Sequence, residues 1–313
     1  YIEMLKNAAQ KLLSGNLVIF PTETVYGIGA DASNFEAVSR LFKIKNRPLD
    51  HPAIVHIGDI EYLEEWALHV PDYGNRIISR FWPGSLTLVL PKTKTTSKSI
   101  TGGQESVGIR MPGNTIALQL LNEFHNLGGK GVVAPSANIF GRLSPTDVHS
   151  ISTELKDRLS EEDLIIDGGE CEIGIESTIL DCTSSSPKVL RSGAVTREMI
   201  SEVVEIDTKN RIPLRVSGDL ENHYQPKSPL FINIEPTAGD GLIALDCVNT
   251  PSGVIRLASP KTVAEYARVL YRSLRRGDNI GVSRIVVIAP SGSGIAEAIC
   301  DRIARASTKT KSF

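Results

Sequence analysis

The sequence has no GxxxxGK[ST] phosphate loop, no GxSxG elbow, no HExxH pair and no CxxC spacing. P-loop nucleotide hydrolysis, serine-hydrolase chemistry and a zinc protease or zinc-ribbon site are therefore excluded as explanations. Cysteine is scarce: Cys171, Cys182, Cys247 and Cys300 lie far apart, which rules out a disulfide framework and suits a reducing cytosol. Charge of one sign is lacking too. The formal net charge is −2 and the pI about 6.4, so no global positive field draws in nucleic acid, and direct RNA binding is expected to be weak or absent. Apolar runs such as Leu86 to Leu90 and Ile285 to Ala289 fall far short of the ~20 residues a membrane helix needs. Glu3, Lys6 and Lys11 within a helical pattern argue against a secretory signal, so a cytoplasmic protein is expected. Tyr1 is an unusual start, and a few residues are expected upstream of it.

What is present is ordinary for a two-domain globular chain: 313 residues, 41% hydrophobic and 22% charged. Short apolar runs (Leu17 to Phe20, Ala53 to Ile57, Leu86 to Leu90, Val107 to Arg110, Val132 to Ala134, Leu164 to Asp167, Thr178 to Asp181, Lys188 to Arg191) read as buried strands. Between them, Ile2 to Leu13, Phe35 to Lys43, Ile60 to Trp66, Asp72 to Phe81, Thr115 to Asn126 and Thr146 to Leu155 carry helical spacing. That alternation predicts an α/β fold, and the Gly and Pro breaks predict a mixed, strongly bent sheet. Periodicity fades from Asp207 to Pro229, and a second α/β pattern follows. The expected organisation is a domain over 1–206, a linker over 207–229 and a smaller domain over 230–313. In the latter, Ser259 and Pro260 are expected to open a long helix that Gly277 ends. Ser291-Gly292-Ser293-Gly294 reads as a plain strand-to-helix turn.

Polar residues cluster at the strand exits of the first domain. Pro21-Thr22-Glu23-Thr24-Val25-Tyr26-Gly27 follows the first strand, where hydroxyls serve a ligand or simply cap a turn. Lys45 and Arg47, stiffened by Pro48 and Pro52, clamp phosphates or form a solvated helix end. His51 and His56 lack a third neighbour for a metal. Arg110, among apolar residues, calls for a carboxylate, either structural or on an amino-acid substrate. Ser136 and Asn138, then Ser144 and Thr146, follow another strand, and Glu176-Ser177-Thr178 and Arg191-Ser192-Gly193 complete the set. None forms a nucleophile–base pair, so the clusters point to ligand positioning rather than covalent catalysis.

In order and spacing, PTETVYG (21–27), KNRP (45–48) with Asp50, FWPGSLTLVL (81–90), VGIRMP (107–112), APSAN (134–138), GIEST (174–178) and LRSG (190–193) resemble the YrdC-type threonylcarbamoyl-AMP synthases. His223-Tyr224-Gln225-Pro226 and Leu274-Arg275-Arg276-Gly277-Asp278 are similar to the linker and second domain of the long form of that family. The resemblance implies a YrdC-like twisted sheet around a ligand cavity, with a Rossmann-like C-terminal domain. It implies synthesis of threonylcarbamoyl-AMP and pyrophosphate from L-threonine, bicarbonate and ATP, with Mg²⁺ carried by ATP and held by no protein side chain. The product would pass to a tRNA threonylcarbamoyl transferase complex. Threonine would lie near Thr24, His56, Arg110, Ser136 and Ser177, and ATP near Arg47, His51, Ser106, Asn138, Thr146, Arg191 and His223. Lys45 and Arg47 would carry the catalytic charge. Two segments depart from the family pattern: His51 replaces the usual Asn, and Ser217-Gly218-Asp219-Leu220-Glu221 replaces a basic stretch beginning Pro-Gly. The linker around His223 and Tyr224 is expected to cover the nucleotide as a lid.

Overall fold

In the computed structural model of the chain, which describes residues 1–208, 214–218 and 224–307, the stripe Leu5, Ala8, Ala9 and Leu12 buries one face of the first helix, Ile2–Leu13. It packs against Thr115–Asn126, whose Leu120, Leu121 and Phe124 share its core. Asn114 starts that second helix by accepting from the backbone N–H groups of Ile116 and Ala117 at 3.0 and 3.1 Å. Beneath the pair lies a nine-stranded sheet: β1 (Val18–Phe20), β2 (Gly27–Asp31), β3 (Ile54–His56), β4 (Leu86–Pro91), β5 (Ser106–Arg110), β6 (Val132–Val133), β7 (Leu164–Ile165), β8 (Thr178–Asp181) and β9 (Lys188–Arg191). Its order is β7-β1-β2-β6-β3-β5-β4-β8-β9. The pairs β1–β7, β3–β5 and β4–β8 are parallel and the others antiparallel, so the sheet is mixed, as its breaks predict.

Three local readings are corrected. The glycines that close the polar segment after the first strand, Gly27 and Gly29, suggest a bend in the sequence but sit inside β2. A Cβ on Gly29 would stand 2.8 Å from both Phe20 and Val132, so glycine is needed for close strand approach. The stretch 146–155 is not one helix. Asp147 and Ser152 each cap a fresh start, giving a 3₁₀ turn at Val148–Ser150 and a short helix at Thr153–Lys156. Ile60–Glu65 is likewise a 3₁₀ helix.

The second sheet holds β10 (Leu230–Ile232), β11 (Gly241–Ile243), β12 (Ile255–Ala258) and β13 (Ile285–Val287) in the order β10-β13-β11-β12, every pair parallel. Parallel pairing demands crossovers, and the long helix Val263–Ile280 supplies one between β12 and β13. That helix starts later and ends later than its sequence suggests. Thr262 caps it by accepting from Glu265 N at 3.1 Å, and Gly281 stops it in the left-handed region at φ 68°. Gly277 stays inside it because a Cβ there would meet Ile285 at 2.8 Å. The core of this domain reaches into the first: Val25, Leu143 and Ile175 join Tyr224, Tyr271, Leu274 and Ile299 in one buried cluster. No helix among the described residues is long and apolar enough to cross a membrane.

Candidate active site

Parallel strands β3 and β5 set the floor of the site. His56 and Arg110 are Cα partners at their carboxyl ends, so both side chains emerge side by side. Over them folds the loop after β1. Thr22 Oγ1 accepts from the backbone N–H groups of Thr24 and Val25, each at 3.2 Å, and the turn delivers Thr24 Oγ1 to Arg110 Nη1 at 3.0 Å. Arg110 also donates through Nε to Gly84 O at 3.1 Å and through Nη2 to buried Glu23. Burial alone would raise the Glu23 carboxyl, but the Arg110 guanidinium outweighs it and holds it below its ordinary value. His56 behaves oppositely: burial, then the Arg110 charge, push it down to about 3, so its ring is neutral at physiological pH.

Two further arginines close on the same space. The helix Phe35–Lys45 stops at Asn46 in the left-handed conformation, φ 54°. The chain then turns Arg47 between Phe42 and Phe140, its guanidinium 5.6 Å from each ring centroid. Arg47 Nη2 donates to Pro52 O at 2.5 Å and Ser217 Oγ at 3.1 Å, while its buried Nε has no partner among the described residues. Burial lowers Arg47 to about 10, which leaves it charged. At the end of β9, Arg191 grips Ser177 through Nε to its carbonyl at 3.0 Å and Nη2 to its hydroxyl at 3.2 Å, and donates through Nη1 to Ser217 O at 2.7 Å. The neighbouring Glu176 carboxylate accepts from Ser144, Tyr271 and Arg302. Desolvation opposes its charge, yet Arg302 and Arg191 hold it down at about 2.

These groups surround a cleft whose free space, its open mouth included, is about 510 Å³. Thr24, Arg47, His56, Arg110, Ser136, Ser177 and Arg191 all line it. Ser106 lies in an adjoining cleft that shares Ile54 and Ser217 with it. Lys45, His51, Asn138 and Thr146 are not on its wall. Lys45 is buried, with Nζ spent on the carbonyls of Ser136 and Asn138, and burial holds its ammonium well below the usual lysine range. It therefore braces the loop that presents Ser136. His51 packs 5.1 Å from Phe140, Asn138 Nδ2 bonds Ile139 O and Arg142 O, and Thr146 accepts at its carbonyl from Cys171 N. His223 lies outside the described residues, whereas Tyr224 is buried and lines the cavity with Ser217 and Gly218. The sequence gives Glu23 and Glu176 no role of their own beyond membership of the polar clusters. The only signal was that each is a carboxylate directly before a hydroxyl residue of the site, Thr24 or Ser177.

Three guanidiniums against one carboxylate already bound by Arg302 make this an anion site. Among the described residues no group of three His, Cys, Asp or Glu side chains is placed to hold a metal ion.

The Sua5–YciO–YrdC family model, described as "Telomere recombination", matches residues 10–193. The chain belongs to this family. A second model, "Threonylcarbamoyl-AMP synthase, C-terminal domain", matches residues 195–308. Among Sua5–YciO–YrdC relatives, threonylcarbamoyl-AMP synthase of Pyrococcus abyssi is 37% identical across 97% of this chain and 94% of its own length. The threonylcarbamoyl-AMP synthase of Bacillus subtilis is 35% identical across 96% and 92%. The crystal structure of P. abyssi Sua5 complexed with L-threonine superimposes with a TM-score of 0.87 at 35% identity, covering 98% of this chain and 95% of that one.

The neutral His56 carries a prediction. In an NMR titration its ring should show no protonation step between pH 8 and about pH 5, unlike an ordinary histidine near 6.5. Its folded value lies below its unfolded one, so the stability it contributes is complete above about pH 6.5 and is lost as pH falls toward 3. A normal midpoint near 6.5 would contradict the buried, Arg110-facing placement.

Proposed function

We propose that this chain joins L-threonine, bicarbonate or CO2, and ATP into threonylcarbamoyl-AMP and pyrophosphate, for modification of the adenosine next to the tRNA anticodon. The observation that carries the reading is the convergence of Arg47, Arg110 and Arg191 with the hydroxyls of Thr24, Ser136 and Ser177 on one cavity. The threonine amine adds to the carbon of CO2 and loses a proton, giving a carbamate. A carbamate oxygen then forms a bond to the α-phosphorus as the bridging P–O bond to the β-phosphate breaks and pyrophosphate leaves. The substrate supplies the nucleophile, so the protein's part is positioning and charge stabilisation.

Arg110 would hold the threonine carboxylate. Of its five N–H donors, three serve Gly84, Thr24 and Glu23, and two are left for the substrate. Neutral His56 keeps a lone pair for the threonine hydroxyl. The unpartnered Nε of Arg47, with Arg191, would face the phosphates. Glu176, the cavity's carboxylate, is taken by Arg302, Ser144 and Tyr271, so the donor set suits Mg²⁺ brought in on ATP rather than a resident ion. Such an ion would add to the neutralisation of phosphate charge.

Residues 1–206 would form the catalytic unit, 230–313 the second domain and 207–229 the link between them. That link would act as cover, since Ser217, Gly218 and Tyr224 wall the cavity. The product would leave for a cytoplasmic tRNA threonylcarbamoyl transferase complex. Substrate choice provides the test. Valine lacks the hydroxyl that His56 and Thr24 are placed to read, so its pyrophosphate release should fall at least ~10-fold below threonine's, with serine between them. Valine turning over as fast as threonine would overturn this assignment of the site.

A further inference from the structure

Among the described residues the second domain contributes nothing to the walls of the cavity, yet one of its side chains is the largest fully buried one: Arg302, on the helix Ile295–Ala306. Its guanidinium crosses to the first domain at two points. Nε donates to Glu176 Oε2 at 2.8 Å and Nη2 to the carbonyl of Ser192 at 3.0 Å, while Nη1 is steadied by Asp301 at 2.7 Å. Its face lies 5.5 Å from the Tyr224 ring centroid.

The two residues it grips are neighbours of the pair that meets the ligand. Glu176 precedes Ser177, and Ser192 follows Arg191. Ser177 and Arg191 are themselves joined by two hydrogen bonds. The two loops also touch: a Cβ on Gly193 would stand 2.8 Å from Glu176 O. A bidentate cation bridging both loops fixes the distance between them, and a planar guanidinium fixes the angle as well. Tyr271 from the same domain completes the grip, its hydroxyl 2.9 Å from Glu176 Oε2.

We propose that Arg302 is a positioning residue for the nucleotide: docked from the second domain, it sets Arg191, through the loops that carry Arg191 and Ser177, at the place that receives the phosphates. The second domain thereby makes the first domain's phosphate site conditional on its own docking. On the threonine side the corresponding bonds stay within the first domain, where Arg110 is held by Gly84, Thr24 and Glu23. This rests on the ATP-binding role given above to Arg191.

The experiment uses full-length protein and measures dissociation constants for ATP and for L-threonine by calorimetry, with Tm alongside. Arg302→Lys keeps the charge but cannot bridge both loops. It should weaken ATP binding about 10-fold and threonine binding, which meets only Ser177 of the displaced pair, several-fold less. Arg302→Met strands the Glu176 carboxylate and should lower Tm as well. The double variant Arg302→Met/Glu176→Gln removes that stranded charge, so Tm should recover while the ATP defect persists. Recovery of ATP affinity together with Tm would show that Arg302 only neutralises charge, and would overturn the proposal. So would parental ATP affinity in Arg302→Lys, or equal loss of both ligands. A parent that binds no ATP or yields no adenylate would instead refute the underlying function.

Discussion

An Arg110→Ala chain should bind threonine at least ~10-fold more weakly and lose about 3–5 kcal/mol of stability. Both losses come from one geometry. Glu23, buried at 7% exposure, loses its one ion-pair partner among the described residues once the guanidinium is gone, and is left with backbone N–H groups such as that of Asn114 at 3.2 Å. A stranded buried carboxylate is far more costly than a pair replaced in full. Gly84 O and Thr24 Oγ1 lose their donor at the same time, so the threonine loop is no longer anchored to the end of β5. Urea denaturation and calorimetry with threonine separate the two effects. Adding Glu23→Gln should return part of the stability and none of the affinity. The pairing also has a pH signature: Glu23's folded value lies below its ordinary 4.5, so its contribution is full above that and lost as pH falls below it. Unchanged threonine affinity in Arg110→Ala would remove the carboxylate role.

Arg47→Ala has the opposite profile: turnover should drop about tenfold or more, roughly 1.4 kcal/mol or more in the barrier, with little loss of fold. The fold is spared because Ser217 Oγ already donates to Pro52 O at 2.9 Å, so the two oxygens that Arg47 meets keep each other satisfied. What goes is a charged fork held between Phe42 and Phe140 with one N–H unused. Arg47→Lys should recover only part of the rate, because a point charge neither stacks between rings nor donates in a fixed plane. Threonine-dependent pyrophosphate release measures this, and near-parental release in Arg47→Ala would contradict the phosphate role.

Much of this site is legible in the sequence because its residues stand at strand ends. Short apolar runs locate β3, β5 and β9, and a polar residue closing a buried strand has few places to go but the sheet's edge, hence His56, Arg110 and Arg191. Which way a residue faces after the strand ends is set by loop closure, which spacing does not encode. Lys45 and Asn138 sit in motifs as suggestive as that of Arg47, yet they brace the loop behind the cavity wall. Glycine misleads in strand and helix alike: Gly29 and Gly277 look like breaks and are close-packing positions inside regular elements. Arg302 and Tyr271 leave no local trace, because their partner Glu176 is 126 and 95 residues away and the contact exists only once the second domain docks.

Mass spectrometry of the products from ATP, L-threonine and ¹³C-labelled bicarbonate decides whether the cavity makes the adenylate. The expected product is a threonylcarbamoyl adenylate carrying the label, formed with an equal amount of pyrophosphate and only when all three substrates are present. Pyrophosphate release that ignores threonine, or an adenylate without the label, would contradict it.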